Sequence, residues 1–416
     1  MTEPQPLIGD RVNASPSAIR RQVRTREEET LLGRLRQRYG QIRLMNPPLK
    51  GPLAYANWLW ANLELALGTS RIRARPVKLT LDPTNVCQLR CPLCPTGLEM
   101  QDREKGHANL QMFEHLLEHV GGSLFFLDFF NWGEPLLNMH VEEFIGMASR
   151  KKIVCSVSTN LSLPLTDERI GRIVGSGLHE MIVSLDGASS ETYATYRRGG
   201  KFELVCKNMR RIAAEKRRRG QTAPLLTWQF LVFRFNQHEM ESARELAAEI
   251  GVDRLLFRRP FLDVERYALS DEDKKTMSGW SPDERIFQIE GAPAGGAGKG
   301  SEVHSRCGWH YMSTAINWDG SVAPCCTTYE KRDDFGALGR HGEQAYMDVV
   351  NNAAFRSVRE RFAGRRKEPV ALICEKCPTP EIMDYHKFLN RQVLLFTLVG
   401  LTEAARRMFG GRRRAE

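Results

Sequence analysis

Three cysteines stand close together in NVCQLRCPLCPTG, residues 85–97. Cys87, Cys91 and Cys94 form a C-x3-C-x2-C run that ends in a Pro-Thr-Gly turn. Thiolates at this spacing on a loop hold a metal. Structural zinc closes its shell with four protein ligands, whereas a site that does chemistry keeps one position open. Three ligands therefore predict an open site. A second group follows: Cys307, the adjacent Cys325 and Cys326, then Cys374 and Cys377 in ICEKCP. Cys307, Cys325, Cys374 and Cys377 supply four thiolates, enough for a closed shell around zinc or an iron–sulfur cluster. Cys155 and Cys206 fall mid-strand and mid-helix and read as core.

Elements must position these groups. From residue 77 to about 258, short apolar runs alternate with amphipathic stretches. Strands are expected at 77–81, 125–131, 153–158, 181–185, 225–233 and 254–257, and helices at 110–120, 141–152, 166–177, 202–219 and 239–251. Such alternation gives a parallel sheet with right-handed crossovers. Six units are too few for a closed eightfold barrel, so the expected fold class is α/β, an open partial (β/α)6 barrel. Sites in such sheets lie at the carboxyl ends of the strands, and the three-cysteine loop follows the first strand. STAINWDGSVAPCC alternates around Asp319-Gly320, a β-hairpin signal that places Cys307 before one strand and Cys325 after the other. The expected domains are a basic, largely helical extension over 1–76, the barrel over 77–289 and a Gly/Ala-rich linker over 290–304. An auxiliary cysteine domain over 305–380 and a basic amphipathic helix over 381–416 complete the chain.

The 416 residues suffice for a full core, and 42% hydrophobic with 26% charged content is an ordinary globular composition. MTEPQPLIGD shows no secretory pattern, and the longest apolar run, Val393 to Leu401, is about half a bilayer span. Ten cysteines without a signal favour metal or redox chemistry in a reducing compartment over a disulfide framework, so a cytoplasmic location is expected. Charge gathers at the ends, with 13 Lys and Arg against 6 Asp and Glu in residues 1–76, and 7 against 2 in 387–416. Against a total of +10 the centre is close to neutral, which argues against nucleic acid as partner of the catalytic region. The basic ends read as solvated helices, or as a contact with a membrane surface or a partner chain.

The three-cysteine loop after a first strand resembles the signature of the radical S-adenosylmethionine (SAM) enzymes. The resemblance covers residues 77 to about 258, and about 305–380 for an auxiliary domain. It implies that Cys87, Cys91 and Cys94 hold a [4Fe–4S] cluster whose remaining iron binds SAM. It also implies a 5′-deoxyadenosyl radical and an electron donor such as flavodoxin or ferredoxin. NWGEP, residues 131–135, resembles the family's Gly-Gly-Glu-Pro element for the methionine amino group, with Trp132 in place of the first glycine. Gly133, Glu134 and Pro135 are the candidates there. Ser158 and Asn160 in SVSTN, and Ser184 and Asp186 in VSLDG, stand where the family contacts the methionine carboxylate and ribose. As residues alone, Asn160 and Asp186 read equally as turn formers. Leu93 stands where many members stack an aromatic ring on adenine, and offers an apolar face instead. The later cysteines resemble the twitch domain, a short relative of the SPASM domain, as in 2-deoxy-scyllo-inosamine dehydrogenase-type enzymes. This implies one auxiliary [4Fe–4S] cluster on Cys307, Cys325, Cys374 and Cys377.

The implied reaction is hydrogen abstraction from a substrate C–H. The substrate radical then either loses an electron to the auxiliary cluster and a proton to a base, an oxidation, or takes hydrogen from a thiol, an epimerisation. Cys326 is the candidate donor, because neighbours alternate sides in extended chain and the residue beside a cluster ligand can face the cavity. A small buried hydrophobe, or exchange with Cys325 as ligand, are its other readings. The twitch pattern points to a small saccharide- or polyol-type natural product. The alternative is a radical maturase of a peptide or protein, although residues 1–76 show no winged-helix leader-binding pattern. A zinc-stabilised interaction scaffold is the non-enzymatic reading.

Overall fold

Short runs of Val, Ile, Leu and Phe, apolar on both faces, form strands covered on both sides. The computed structural model describes residues 31–260, 269–283, 286, 307–339, 341–342, 344–377 and 385–410. The expected linker at 290–304 lies outside them. Helices α1 (Leu31–Leu44) and α2 (Pro52–Leu67) precede the sheet. Its first six strands are β1 (Lys78–Leu81), β2 (Phe126–Phe129), β3 (Val154–Thr159), β4 (Glu180–Ser184), β5 (Leu225–Leu231) and β6 (Arg254–Arg258), each parallel to the next. Helices α3 (Leu110–Val120), α4 (Val141–Arg150), α5 (Asp167–Gly175), α6 (Ser190–Tyr196), α7 (Phe202–Arg218) and α8 (Met240–Ile250) connect them, and α9 (Asp271–Ser278) follows β6. Caps set several starts: Asn109 accepts from Met112 N–H, and Thr166 from Arg169 N–H. Phe113, Phe129 and Phe144 pack α3, β2 and α4 together, all fully buried.

Two features add to the local pattern. Helix α6 lies in a stretch to which the strand and helix readings assign nothing. The hairpin also joins the barrel sheet and does not stand apart. After α10 (Trp309–Met312), β7 (Ser313–Ile316) pairs in parallel with β1, then turns through Asp319-Gly320 into antiparallel β8 (Ser321–Ala323), which pairs with β9 (Gly336–Ala337). Gly320 has φ +79, and a Cβ there would lie 2.3 Å from the Gly339 carbonyl oxygen. The result is one open nine-stranded sheet, β6-β5-β4-β3-β2-β1-β7-β8-β9. Arg103, buried beyond the cysteine loop, locks the hairpin by reaching Asp319 at 3.2 Å and Asp334 at 2.7 Å.

Helices α11 (Tyr346–Val349), α12 (Ala353–Phe362) and α13 (Tyr385–Gly410) complete the chain. Helix α13 packs on α1 through Tyr39 and Thr402, and on α2 through Tyr55 with Thr397 and Trp58 with Asn390. Among the described residues, no helix is long and apolar enough to cross a membrane.

Candidate active site

The cysteine loop is anchored by NWGEP. Asp82, buried at the end of β1, lies 3.4 Å from the backbone N–H groups of Trp132 and Gly133, and burial pushes its carboxyl up to about 7. A Cβ on Gly133 would lie 1.8 Å from the Thr84 carbonyl oxygen, so only glycine fits. Glu134 N–H donates to Val86 O at 2.9 Å, and the Thr96 hydroxyl donates to Trp132 O at 2.5 Å.

Polar side chains then reach the thiols. Gln88 donates to Asn160 Oδ1 at 2.8 Å, and Asn160 Nδ2 lies 3.7 Å from Cys87 Sγ. Arg197 Nη1 lies 3.9 Å from Cys91 Sγ and is held by Asp186, Nε to Oδ2 at 2.6 Å. Asp186 Oδ1 also accepts from Leu231 N–H at 2.7 Å. Glu134 Oε1 accepts from the Thr159 hydroxyl at 2.6 Å and Leu136 N–H at 3.1 Å, and Oε2 from Asn160 N–H at 2.7 Å. Glu134 and Asp186 therefore tie strand ends together. Pro135 opens a 3-10 turn, and Leu93 is buried in a cluster with Leu89, Tyr196 and Phe233. Of the expected SAM contacts, Ser158 and Ser184 have hydroxyls with no hydrogen bond among the described residues.

The later cysteines converge around α10. Trp309 and His310 N–H groups point at Cys307, whose thiol burial pushes up to about 12. The charges acting on Cys374 come first from Cys325, Cys307 and Cys377, so these four are neighbours. Cys374 Sγ also lies 3.6 Å from His310 Nε2. Cys326 packs with Cys325 and Tyr385 against Cys307 and Trp309, and lies in the field of Cys325 and then of Lys78 and Asp128. Its carbonyl oxygen accepts from Asn131 at 3.0 Å, in the amide orientation that satisfies both ends of Asn131. The Trp132 indole donates to Thr328 O at 2.9 Å and meets Tyr329 edge-on at 5.6 Å. The tryptophan thus docks the auxiliary segment onto the strand end.

Family models match both regions, one for the radical SAM superfamily over residues 81–246 and one for a SPASM iron–sulfur cluster-binding domain over residues 307–378. The chain is a radical SAM protein with a SPASM domain. It is similar to the PqqA peptide cyclase of Bradyrhizobium diazoefficiens, 24% identical over 197 residues, 46% of this chain and 49% of that one. The matched region thus spans about half the length of that curated relative. Among solved structures, the radical SAM protein is similar to BtrN in complex with AdoMet and 2-DOIA, at 17% identity over 73% of this chain and 93% of that one, with a TM-score of 0.40. It is also similar to Streptococcus suis SuiB bound to S-adenosylmethionine, at 15% identity over 68% of each chain, with a TM-score of 0.48.

The two domains imply a [4Fe–4S] cluster with SAM and auxiliary iron–sulfur binding, and the residues fit both. Four neighbouring thiols in the auxiliary segment suit a four-iron cluster, which takes each thiolate on a different iron. Burial pushes Cys87 up to about 12 and Cys91 to about 11, and bound iron reverses this by stabilising the thiolate. A [4Fe–4S] cluster held by Cys87, Cys91 and Cys94 would, with SAM, supply a 5′-deoxyadenosyl radical.

Within the barrel, the inner face carries a polar belt. Lys78 pairs with Asp128, which accepts from the Ser156 hydroxyl at 2.6 Å. Glu180 pairs with Arg254 and accepts from Thr227 at 2.8 Å. Burial opposes the Lys78 charge, but Asp128 and Tyr385 outweigh it and raise its pKa. Asp128, Ser156 and Glu180 share one register row, and Ser158 lies about 6.6 Å further along the same face of β3. A cavity of about 150 Å³ is lined by this row and Lys78, and by Tyr385, Gln392 and Phe396 of α13. A larger cleft of about 1270 Å³ lies in the outer helical layer, lined by α4, α5 and α7, remote from this chemistry. Sequence reasoning missed Arg197, Lys78, Asp128 and Tyr385 as site residues. Reading every second residue of the strands would have exposed the belt, since a charged inner row is unusual in a buried parallel sheet.

Proposed function

We propose that this radical SAM enzyme takes hydrogen from a C–H of a saccharide- or polyol-type natural product and then inverts or oxidises that carbon. The supporting observation is the 150 Å³ cavity, a volume that elsewhere admits a six-membered ring. Its charges are already paired, Lys78 with Asp128 and Glu180 with Arg254, so an unbalanced anion or cation would be poorly received. Ser156, Tyr385 and Gln392 offer neutral hydrogen-bonding groups to hydroxyls. In the epimerase form Cys326 would return a hydrogen atom from its Sγ, and the thiyl radical left behind would be restored by one electron from the reduced donor, passed through the auxiliary cluster, and one proton. Flavodoxin or ferredoxin would deliver the electron, in the cytoplasm.

A second reading, a radical maturase acting on a peptide, is favoured by the match to a peptide cyclase. The separating experiment supplies the reduced, reconstituted enzyme with SAM and either perdeuterated polyols and sugars or perdeuterated peptide. Deuterium in 5′-deoxyadenosine from the sugar pool is the expected result. Deuterium only from peptide would replace the first reading with the second.

A further inference from the structure

Among the described residues, eleven large apolar side chains are exposed, and ten of them lie on α1, α2 and α13. On α2 the row is Leu53, Leu59, Trp60, Leu63 and Leu67, with Leu53 83% exposed. The only charged residue of α2 is Glu64, and it points inward, accepting from Arg73 N–H at 2.7 Å and Ala74 N–H at 3.1 Å. A solvent-facing helix normally carries its charges outward. Here the outward face is apolar throughout. On α13, Leu394, Leu398 and Leu401 recur at helical spacing and are each more than half exposed. The side chains of Tyr55, Trp58 and Asn62 join α2 to α13, so the two rows belong to neighbouring helices.

The charge on these three helices is one-sided. They contain eight Lys and Arg against two acids. Glu64 is turned inward, and Glu403 is already paired with Arg43 and Arg406. Burial and the neighbouring cations Arg254 and Arg391 lower the Arg38 pKa. A second copy would bring two like-charged rims together, which is unfavourable. Leucines and a tryptophan with arginine and lysine beside them match the composition of helices that lie in a lipid interface.

We propose that α1, α2 and α13 form a peripheral docking face for an anionic lipid bilayer, lying on the membrane and not crossing it. The inference is independent of the reaction. It has a geometric consequence, since the inner side of α13 lines the barrel cavity with Tyr385 and Gln392. Docking would bring that cavity within about one helix diameter, ~10 Å, of lipid.

The test is flotation of the reconstituted protein with vesicles of phosphatidylglycerol and phosphatidylcholine, against phosphatidylcholine alone. Flotation should require phosphatidylglycerol and weaken as salt is raised. Leu63→Glu and Leu398→Glu should each reduce partitioning by about tenfold, whereas Met139→Glu, exposed but outside the face, should float like wild type. Lys387→Glu/Arg391→Glu leaves the apolar rows intact and should reduce both binding and its salt dependence. Circular dichroism and 5′-deoxyadenosine formation in solution should be unchanged in all four. Wild type that stays at the bottom, or flotation insensitive to every substitution, would overturn the proposal. So would a dimer that Leu63→Glu dissociates without any flotation, which would assign the face to a second copy.

Discussion

The two cysteine sites are built on opposite plans. The first is one loop, and the protein fixes it without the thiols: Glu134 N–H bonds Val86, Thr96 bonds Trp132, and Gln88 bonds Asn160. The second draws its sulfurs from distant positions, Cys307 before α10, Cys325 after β8, and Cys374 with Cys377 beyond α12. Without metal those segments meet through single contacts, Cys374 Sγ with His310 Nε2 at 3.6 Å and Arg361 with Glu375 at 2.8 Å. The first site is thus preorganised for chemistry, and the second links metal binding to folding. Among the described residues the hydroxyls of Ser158 and Ser184, at the ends of β3 and β4, have no hydrogen bond, whereas Trp309, Phe362 and Tyr385 pack around the second.

The sharpest way to break that contrast is to remove each thiol set in turn. The Cys87→Ala/Cys91→Ala/Cys94→Ala protein should fall from about eight irons to about four and lose reductive SAM cleavage. Its thermal unfolding should barely move, because the loop's anchors remain. Iron analysis, product chromatography and calorimetry check the three parts. Persistent 5′-deoxyadenosine in this variant would contradict the assignment of the open site.

Cys374→Ala attacks the other plan. Loss of one thiolate from a closed shell should make the auxiliary cluster labile and lower the melting temperature. SAM cleavage should continue. If the variant melts like wild type after losing the second iron set, the contrast between a preorganised and a metal-dependent site is wrong.

Trp132→Gly restores the family's usual residue and tests whether the two sites are mechanically joined. It removes the indole bond to Thr328 and the contact with Tyr329, at a cost of about 2 kcal/mol. Both clusters should assemble. Uncoupled SAM cleavage should rise relative to substrate product, because the Cys325–Tyr329 segment loses its hold on the strand end. A fully coupled variant would leave Arg103 and its two aspartates as the operative link.

The barrel was legible in the sequence because each strand is a continuous apolar run and each helix an amphipathic one, signals that depend only on neighbours in the chain. Helix α6 was not assigned because SETYATY is seven residues with no apolar stripe, started by the Ser189 side chain accepting from Thr192 N–H. The parallel pairing of β7 with β1 escaped for another reason. No local pattern states which distant strand a hairpin will join. The cysteines were legible by spacing, but Arg197 over Cys91, or Tyr385 beside Cys326, is proximity produced only by folding.

The smallest structural change tests the fifth cysteine of the auxiliary segment. Cys325 and Cys326 both pack against Cys307 and Trp309, Cys325 in the field of Cys374 and Cys326 also in that of Lys78 and Asp128. Cys326→Ser keeps the shape but offers a much stronger X–H bond, so a serine cannot return hydrogen to a carbon radical at a useful rate. If Cys326 is the donor, the variant should retain both clusters, consume SAM and release little native product. Wild-type turnover in D₂O should then place one deuterium on the inverted carbon, because the thiol exchanges with solvent. Oxidation predicts the opposite on each count: a ketone, no solvent deuterium at that carbon, and a serine variant that turns over nearly as well as wild type. Mass spectrometry of the product separates the two outcomes. An unimpaired Cys326→Ser enzyme would remove the thiol from the reaction and leave its place beside Tyr385 as packing.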